Sequence, residues 1–262
     1  MKSIRLYPAI GRRVLFCLLA GWLVFGSTSA SRLISAGEKP EQAQWSVLFN
    51  GENLDGWKSK SDDKTGGWMV AGRVPVDEAN ARKFSIQPGK GVLVNGDAGR
   101  TINLFTKHQH GDVEAHIEFV VPRGSNSGIY FQGRYEIQVL DSFGVKKSKY
   151  SDCGGIYQRW ANGKGFEGHA PKVNVSKAPG EWQTFGVVFR APRFDKAGKK
   201  IENGRFIKVV HNGVLIHENV EVTGPTRAAA FGDEKPAGPI MLQGDHGPVA
   251  YRNLKIRPIK LP

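Results

Sequence analysis

The chain has 262 residues and carries 37 Lys and Arg against 24 Asp and Glu, a formal net charge of +13 at pH 7. This charge does not indicate nucleic-acid binding, because the basic residues are scattered and no basic stretch alternates with aromatic residues. Only Cys153 lies beyond the first 30 residues, which excludes a fold held together by intrachain disulfides.

The first 30 residues have the three regions of a secretory signal peptide. A basic start is followed by an apolar run over residues 14–25 and by small residues that end at Ala30. The apolar run is shorter than the ~20 residues that span a bilayer. We therefore predict cleavage after Ala30 rather than retention as a membrane anchor. The mature protein is then expected in the periplasm or outside the cell, with no membrane attachment.

Residues 31–44 are polar, contain Pro40, and are predicted to be a linker. One domain is predicted over residues 45–262, where short apolar alternations are broken by Gly, Pro, Asn and Asp. These alternations predict strands over residues 46–49, 68–71, 91–94, 102–106, 112–121, 128–132, 135–140, 154–158, 183–190, 205–211, 214–222, 240–243 and 249–259.

Many short strands without helical periodicity predict an all-β sandwich or jelly roll. The clearest hairpin signal is Asn212 followed by Gly213, a pair that suits a two-residue type I′ turn. The polar segment 193–204 is predicted to be a loop or a short excursion between strands.

The most informative segment is 124–142, in which apolar and polar residues alternate through two runs joined near Gly133. Because successive strand residues face opposite sides, one set points into a core and the other away from it. The inward set is Ile129, Phe131, Ile137 and Val139, and the outward set is Tyr130, Gln132, Glu136 and Gln138. The outward set forms a row of hydrogen-bonding groups suited to a ligand with many hydroxyls, such as a sugar.

Motifs along nearly the whole mature chain carry a family resemblance. They are LFNG at 48–51, LDGW at 54–57, SNSGIYF at 125–131, RYEIQVLDS at 134–142, CGGIY at 153–157, GEWQ at 180–183, HNG at 211–213, GPIMLQGDHG at 238–247 and YRN at 251–253. In this order they resemble the family of 3-keto-disaccharide hydrolases. The resemblance implies a concanavalin-like jelly roll of two curved antiparallel sheets and a secreted protein. It also implies a separate redox enzyme that makes the keto sugar, because this chain shows no nucleotide-binding glycine motif.

The carboxylates of the central strand do not suit ordinary glycoside hydrolysis. A retaining glycosidase needs two carboxyl groups about 5–5.5 Å apart. Glu136 would be the first, but the next residues on its face are Gln138 and Leu140, and Asp141 has the opposite parity. A 3-keto sugar needs only one base, because its C2 proton is already acidic, with a stabiliser for the C3 oxygen and an acid for the leaving group.

The catalytic candidates are Glu136, as base or orienting group, and Asp245 with His246 in a loop flanked by glycines. The residues expected to bind the sugar are Asn126, Tyr130, Arg134, Gln138, Asp141, Tyr157, Trp160 and Gln243. No histidine spacing assigns a metal site, and a divalent cation stays open as a cofactor.

Structural roles remain open for several of these residues. Glu136 could pair with Arg134 or a lysine, Asn126 and Asp141 could cap turns, and Trp160 could pack in a core. The expected partner is a carbohydrate, and the oligomeric state is not fixed by the sequence. The leading hypothesis is a secreted hydrolase or lyase that cleaves 3-keto-glycosides by C2 proton abstraction. The alternatives are a non-catalytic, lectin-like carbohydrate-binding module and a conventional glycosidase.

Overall fold

Antiparallel strands form all of the regular secondary structure in the computed structural model, which describes residues 43–261. In chain order they are β1 Ser46–Val47, β2 Trp57–Lys58, β3 Met69–Arg73, β4 Gln87–Val94, β5 Leu104–His110, β6 Val113–Val120, β7 Asn126–Phe131, β8 Tyr135–Leu140, β9 Arg159–Ala161, β10 Lys164–Phe166, β11 Gln183–Arg190, β12 Arg193–Phe194, β13 Lys200–Glu202, β14 Gly204–His211, β15 Val214–Val222, β16 Gly238–Leu242 and β17 Ala250–Pro258. The predicted signal peptide and all but the last two residues of the predicted linker lie outside the described residues.

Two main sheets form the domain, and the all-β prediction of a sandwich of antiparallel sheets is confirmed. The larger sheet has the order β15-β14-β11-β6-β17-β4-β3, with β1 paired to β17, and the smaller has the order β2-β5-β16-β7-β8. Two short ribbons, β9–β10 and β12–β13, lie outside these sheets. Between residues 43 and 261 there is no apolar helix of membrane-spanning length.

The main core lies between the two sheets and follows from the period-2 alternation of their strands. On β11, Phe185, Val187 and Phe189 are buried while the intervening residues are half-buried. Aromatic rings join the sheets, and the Phe131 and Phe189 centroids are 5.5 Å apart. Cys153 belongs to this core, and burial raises the pKa of its thiol to about 12. Cys153 is therefore a free, buried thiol that packs as an apolar side chain.

One prediction about local structure needs correction. The segment 154–158 is not a strand, because the chain turns just before it, where Gly155 N–H donates to Asp152 O at 2.8 Å. Only Ile156 forms bridges there, to β8 and to His169. The segment 193–204, predicted to be a loop or a short excursion between strands, contains the short β12–β13 ribbon between β11 and β14.

The predicted β14–β15 hairpin is confirmed. Residues His211 and Val214 are paired, and Asn212 and Gly213 form the connection with φ of 49° and 84°. Positive φ at both positions is the signature of a type I′ turn, whose twist matches the twist of the strands.

Replacement of Gly213 by alanine should destabilise the domain by ~1–2 kcal/mol, because an L side chain is strained at φ 84°. A Cβ there would meet no atom within 4 Å, so the cost comes from the backbone alone. The free energy of unfolding in urea measures the effect. Gly232→Ala is the matched control, because its Cβ also enters open space and its φ is not positive. An equal loss in both variants would contradict the turn assignment.

Candidate functional site

A cavity of about 350 Å³ lies against the face of β7 and β8 that points away from the main core. Its volume is within the usual range for small-molecule sites. The residues that line it are Asn126, Tyr130, Glu136, Gln138, Tyr157, Arg227, Ala228, Gln243 and His246. Seven of the eleven predicted site residues therefore meet at one cavity. Four of the seven, Asn126, Tyr130, Glu136 and Gln138, do so because the even-numbered residues of β7 and β8 share a face.

Glu136 lies at the base of this cavity with only 2% of its surface exposed. Its partner strand supplies the space, since a Cβ on Gly128 would lie 2.2 Å from Glu136 Oε1. Tyr130, the residue directly opposite Glu136 in the β7–β8 register, hydrogen-bonds to the carboxyl group. Among residues 43–261, no lysine or arginine forms an ion pair with Glu136. Arg134, the partner considered from the sequence, pairs instead with Asp233 at 3.0 Å.

Burial controls the protonation of this carboxyl group. Loss of hydration raises the pKa of Glu136 from 4.5 to about 8. The hydrogen bond from Tyr130 acts in the opposite direction, and the negative charge of Asp245 adds to the rise. Glu136 can therefore exchange a proton near neutral pH, as a general base or acid must.

Two tyrosines flank the carboxyl group and stay neutral. Burial, followed by the charge of Glu136, holds the pKa of Tyr130 well above its usual value. The same two causes raise the pKa of Tyr157. The Tyr157 backbone N–H donates to Glu136 O at 3.1 Å, and this bond places Tyr157 along the edge of β8.

Amide groups form the polar rim beside Glu136. Gln138 Nε2 donates to Asn126 Oδ1 at 2.8 Å, and this bond leaves the Asn126 amide hydrogens as donors. Gln243 joins this group because its backbone N–H donates to Gly128 O at 2.9 Å. These side chains can accept and donate hydrogen bonds to sugar hydroxyls.

Asp245 and His246 form a pair at the cavity margin. His246 Nδ1 is 2.7 Å from Asp245 Oδ1, and both side chains are about half exposed. A carboxylate bonded to one imidazole nitrogen fixes the ring and leaves Nε2 to act on a ligand. His246 lines the cavity with Glu136, whereas Asp245 lines a neighbouring cavity.

Arg227 is the lining residue that the sequence analysis missed. Its guanidinium carbon lies 4.1 Å from the ring centroid of Trp160, a stacked cation–π contact. Thr226 fixes this loop to the start of β8, because its Oγ1 donates to Arg134 O at 3.0 Å and accepts from Glu136 N–H. No periodic pattern marks Arg227, and the glycine-proline pair before it was the only local signal of a loop.

Three predicted binding residues do not line the cavity. Arg134 has the right parity but lies in the β7–β8 turn, where it donates to Gln132 O and Asp233 and stacks on Phe231. Asp141 accepts from Gly124 N–H and so closes the end of β8. Trp160 is 46% exposed on β9 and supports Arg227.

Within the described part of the chain, no group of three or more His, Cys, Asp or Glu side chains could hold a metal ion. His108 and His110 are the most closely spaced histidines in the sequence, but they do not form a metal site. His110 is buried and accepts from Gln132 N–H at 3.1 Å, so its ring has a structural role.

The profile of the 3-keto-alpha-glucoside-1,2-lyase-like domain matches residues 44–257. No curated protein matches the chain. Three solved structures from Parabacteroides distasonis ATCC 8503, each provisionally named a glycosyl hydrolase, are similar to it. The first shares 29% identity at a TM-score of 0.61, covering 82% of this chain and 84% of the other. The second shares 17% identity at a TM-score of 0.52, covering 82% of this chain and 94% of the other. The third shares 22% identity at a TM-score of 0.50, covering 82% of this chain and 100% of the other. The last two support the fold alone.

The raised pKa of Glu136 predicts an unusual pH dependence of stability. The folded chain binds this proton more tightly than the unfolded chain, whose value is near 4.5. The free energy of unfolding should therefore fall as pH rises from about 4.5 to about 8, by at most ~1.4 kcal/mol per pH unit for this group. Urea unfolding of wild type and Glu136→Gln measures it, because the difference should vary with pH over this window. The exposed Glu181→Gln variant is the control, and a flat difference for Glu136→Gln would contradict the burial.

Gly128→Ala should move the Glu136 carboxyl group toward the cavity, because the new Cβ would occupy its position. This displacement exposes the carboxyl group to water and breaks its hydrogen bond with Tyr130. Desolvation is the larger of these two effects, so the pKa of Glu136 should fall below about 8. Carboxyl ¹³C NMR titration measures this value. Gly186→Ala on β11 is the matched control, since its Cβ would meet only Val210 at 3.8 Å. An unchanged titration of Glu136 in Gly128→Ala would contradict the packing described.

Proposed function

The chain belongs to the 3-keto-alpha-glucoside-1,2-lyase-like domain family, and from this premise we propose that it cleaves 3-keto-glycosides by removing the C2 proton and eliminating the C1 substituent. The domain is carbohydrate-active by its family. The reaction is proposed from the chemistry of the cavity.

The observation that carries the proposal is a single buried carboxyl group without a cationic partner. A glycosidase of the retaining type uses two carboxyl groups that face each other across the bond. Glu136 shares its face of β8 with Gln138, and the Asp141 carboxylate is bonded at the strand end. One base with a pKa of about 8 suits a substrate whose proton is already acidic.

In the proposed first step, the Glu136 carboxylate takes the C2 proton. The electron pair of the C2–H bond moves into a C2–C3 double bond, and the C3 carbonyl oxygen becomes an oxyanion. Hydrogen-bond donors must stabilise that charge. The Arg227 guanidinium and the Asn126 amide are the donors that line the same cavity.

In the second step, the oxyanion reforms the C3 carbonyl, a C1–C2 double bond forms, and the C1–O bond breaks. The leaving oxygen takes a proton from His246, which Asp245 orients. The products are an unsaturated keto sugar and the free leaving group. Addition of water across C1 and C2 then gives the same products as hydrolysis.

Two further parts of the proposal concern the cellular setting. The amino-terminal leader supports export to the periplasm or the outside of the cell. The keto group must be supplied by an oxidoreductase, because elimination neither oxidises nor reduces the sugar overall.

Glu136→Gln should lower kcat/KM for a 3-keto-glycoside at least ~100-fold, because the amide cannot accept the proton. Wild-type kcat/KM should rise with pH up to about 8 as Glu136 ionises. Chromatographic measurement of the released leaving group reports turnover whether or not water adds to the unsaturated keto sugar. Substrate deuterated at C2 should react more slowly, with a primary isotope effect.

The controls separate this activity from its alternatives. Glu181→Gln changes one exposed carboxylate and should leave kcat/KM unchanged. Cleavage of parent glycosides without a C2 isotope effect would favour conventional hydrolysis. Sugar binding by both wild type and Glu136→Gln, with no turnover by either, would favour a lectin-like module.

A further inference from the structure

A second cavity of about 900 Å³ lies next to the Glu136 cavity. The two share Ala228, which lines both. The Asp245 and His246 pair also spans the boundary, since Asp245 lines the second cavity and His246 lines the first. A ligand too long for the first cavity would therefore extend past Ala228 and His246 into the second.

The chemistry of elimination determines which cavity holds the keto sugar and which holds the leaving group. The acid that protonates the leaving oxygen must lie between the keto sugar and the leaving group. His246 is that acid in the proposed function, and its partner Asp245 faces the second cavity. The keto sugar then lies over Glu136, and the leaving group lies beyond His246.

The walls of the second cavity suit an uncharged ring. Ile102 is 42% exposed there and offers an apolar surface. Ser61 offers a hydroxyl, and the two lysines that line the cavity are balanced by two aspartates. Lys64 lies 3.6 Å from Asp62, so the charges are partly neutralised before any ligand arrives. An anionic leaving group would gain little here.

The backbone of the shared wall is held in place. Lys60 Nζ donates to Ala230 O at 2.5 Å and lies over the Phe231 ring. These two contacts of Lys60 join the two sides of the second cavity. Ala228 has a φ of 64°, a left-handed conformation that alanine rarely adopts. Such conformations persist only where the surrounding structure fixes them, and they are frequent at ligand sites.

We propose that this second cavity is the leaving-group site, and that it takes a neutral ring with hydroxyls at its rim and one apolar face. The assignment rests on the proposed function for the identity of the first cavity. It adds the residues that would select among substrates carrying the same keto sugar.

The test compares two substrates that share the 3-keto-glucosyl group, one with glucose and one with methanol as the leaving group. Ile102→Ala removes the apolar wall, and Ser61→Trp fills the cavity. Each should lower kcat/KM for the glucose substrate about tenfold or more. Each should leave the methyl substrate within about twofold, because methanol does not reach the second cavity.

Ile201→Ala is the matched control for Ile102→Ala, because Ile201 is 60% exposed and lies outside both cavities. It should change neither rate, and thermal unfolding should show all three variants folded. Equal losses on both substrates, or no loss on the glucose substrate, would overturn the leaving-group assignment and leave the proposed function standing. Failure of the wild type to turn over either keto substrate would instead overturn the proposed function, and the assignment with it.

Discussion

The carboxyl group of Glu136 is removed from water without a cation to balance it, and the rest of the site depends on how the fold tolerates this. A buried carboxylate is costly, so the group holds its proton more tightly than in water. Gly128 provides the space and Tyr130 provides one hydrogen bond. The strands that carry these residues are buried on both faces, which keeps the carboxyl group in place as the cavity fills.

Rigid and adjustable parts of the site have different origins. Glu136 and the amides of Asn126 and Gln138 lie on the paired strands β7 and β8, whose positions are fixed by main-chain hydrogen bonds. Loops from other parts of the chain carry His246 and Arg227 to the cavity, and Asp245 lies beside His246. Loops on a rigid scaffold commonly vary among related proteins.

The alternation of residues 124–142 was sufficient to predict the strand pair and the face that carries Glu136, because side-chain direction in a strand has a period of two. The same rule could not predict how far along the strand the cavity extends. Arg134 has the parity of Glu136, yet a loop almost a hundred residues later supplies Asp233, which binds it. Arg227 was missed for the same physical reason, since Thr226 reaches β8 through hydrogen bonds that no local pattern encodes. The family itself was recognised from motifs, and the match over residues 44–257 confirms it.

The left-handed backbone at Ala228 sets a limit on how substrate preference could diversify. A branched or bulky side chain at this position would add steric cost to a conformation that is already unfavourable, whereas glycine would relax it. The shape of the wall that the two cavities share at Ala228 is therefore set by main-chain geometry. Relatives that accept larger or smaller substrates would have to change the length or path of the surrounding loop, because exchange of this one side chain has little scope.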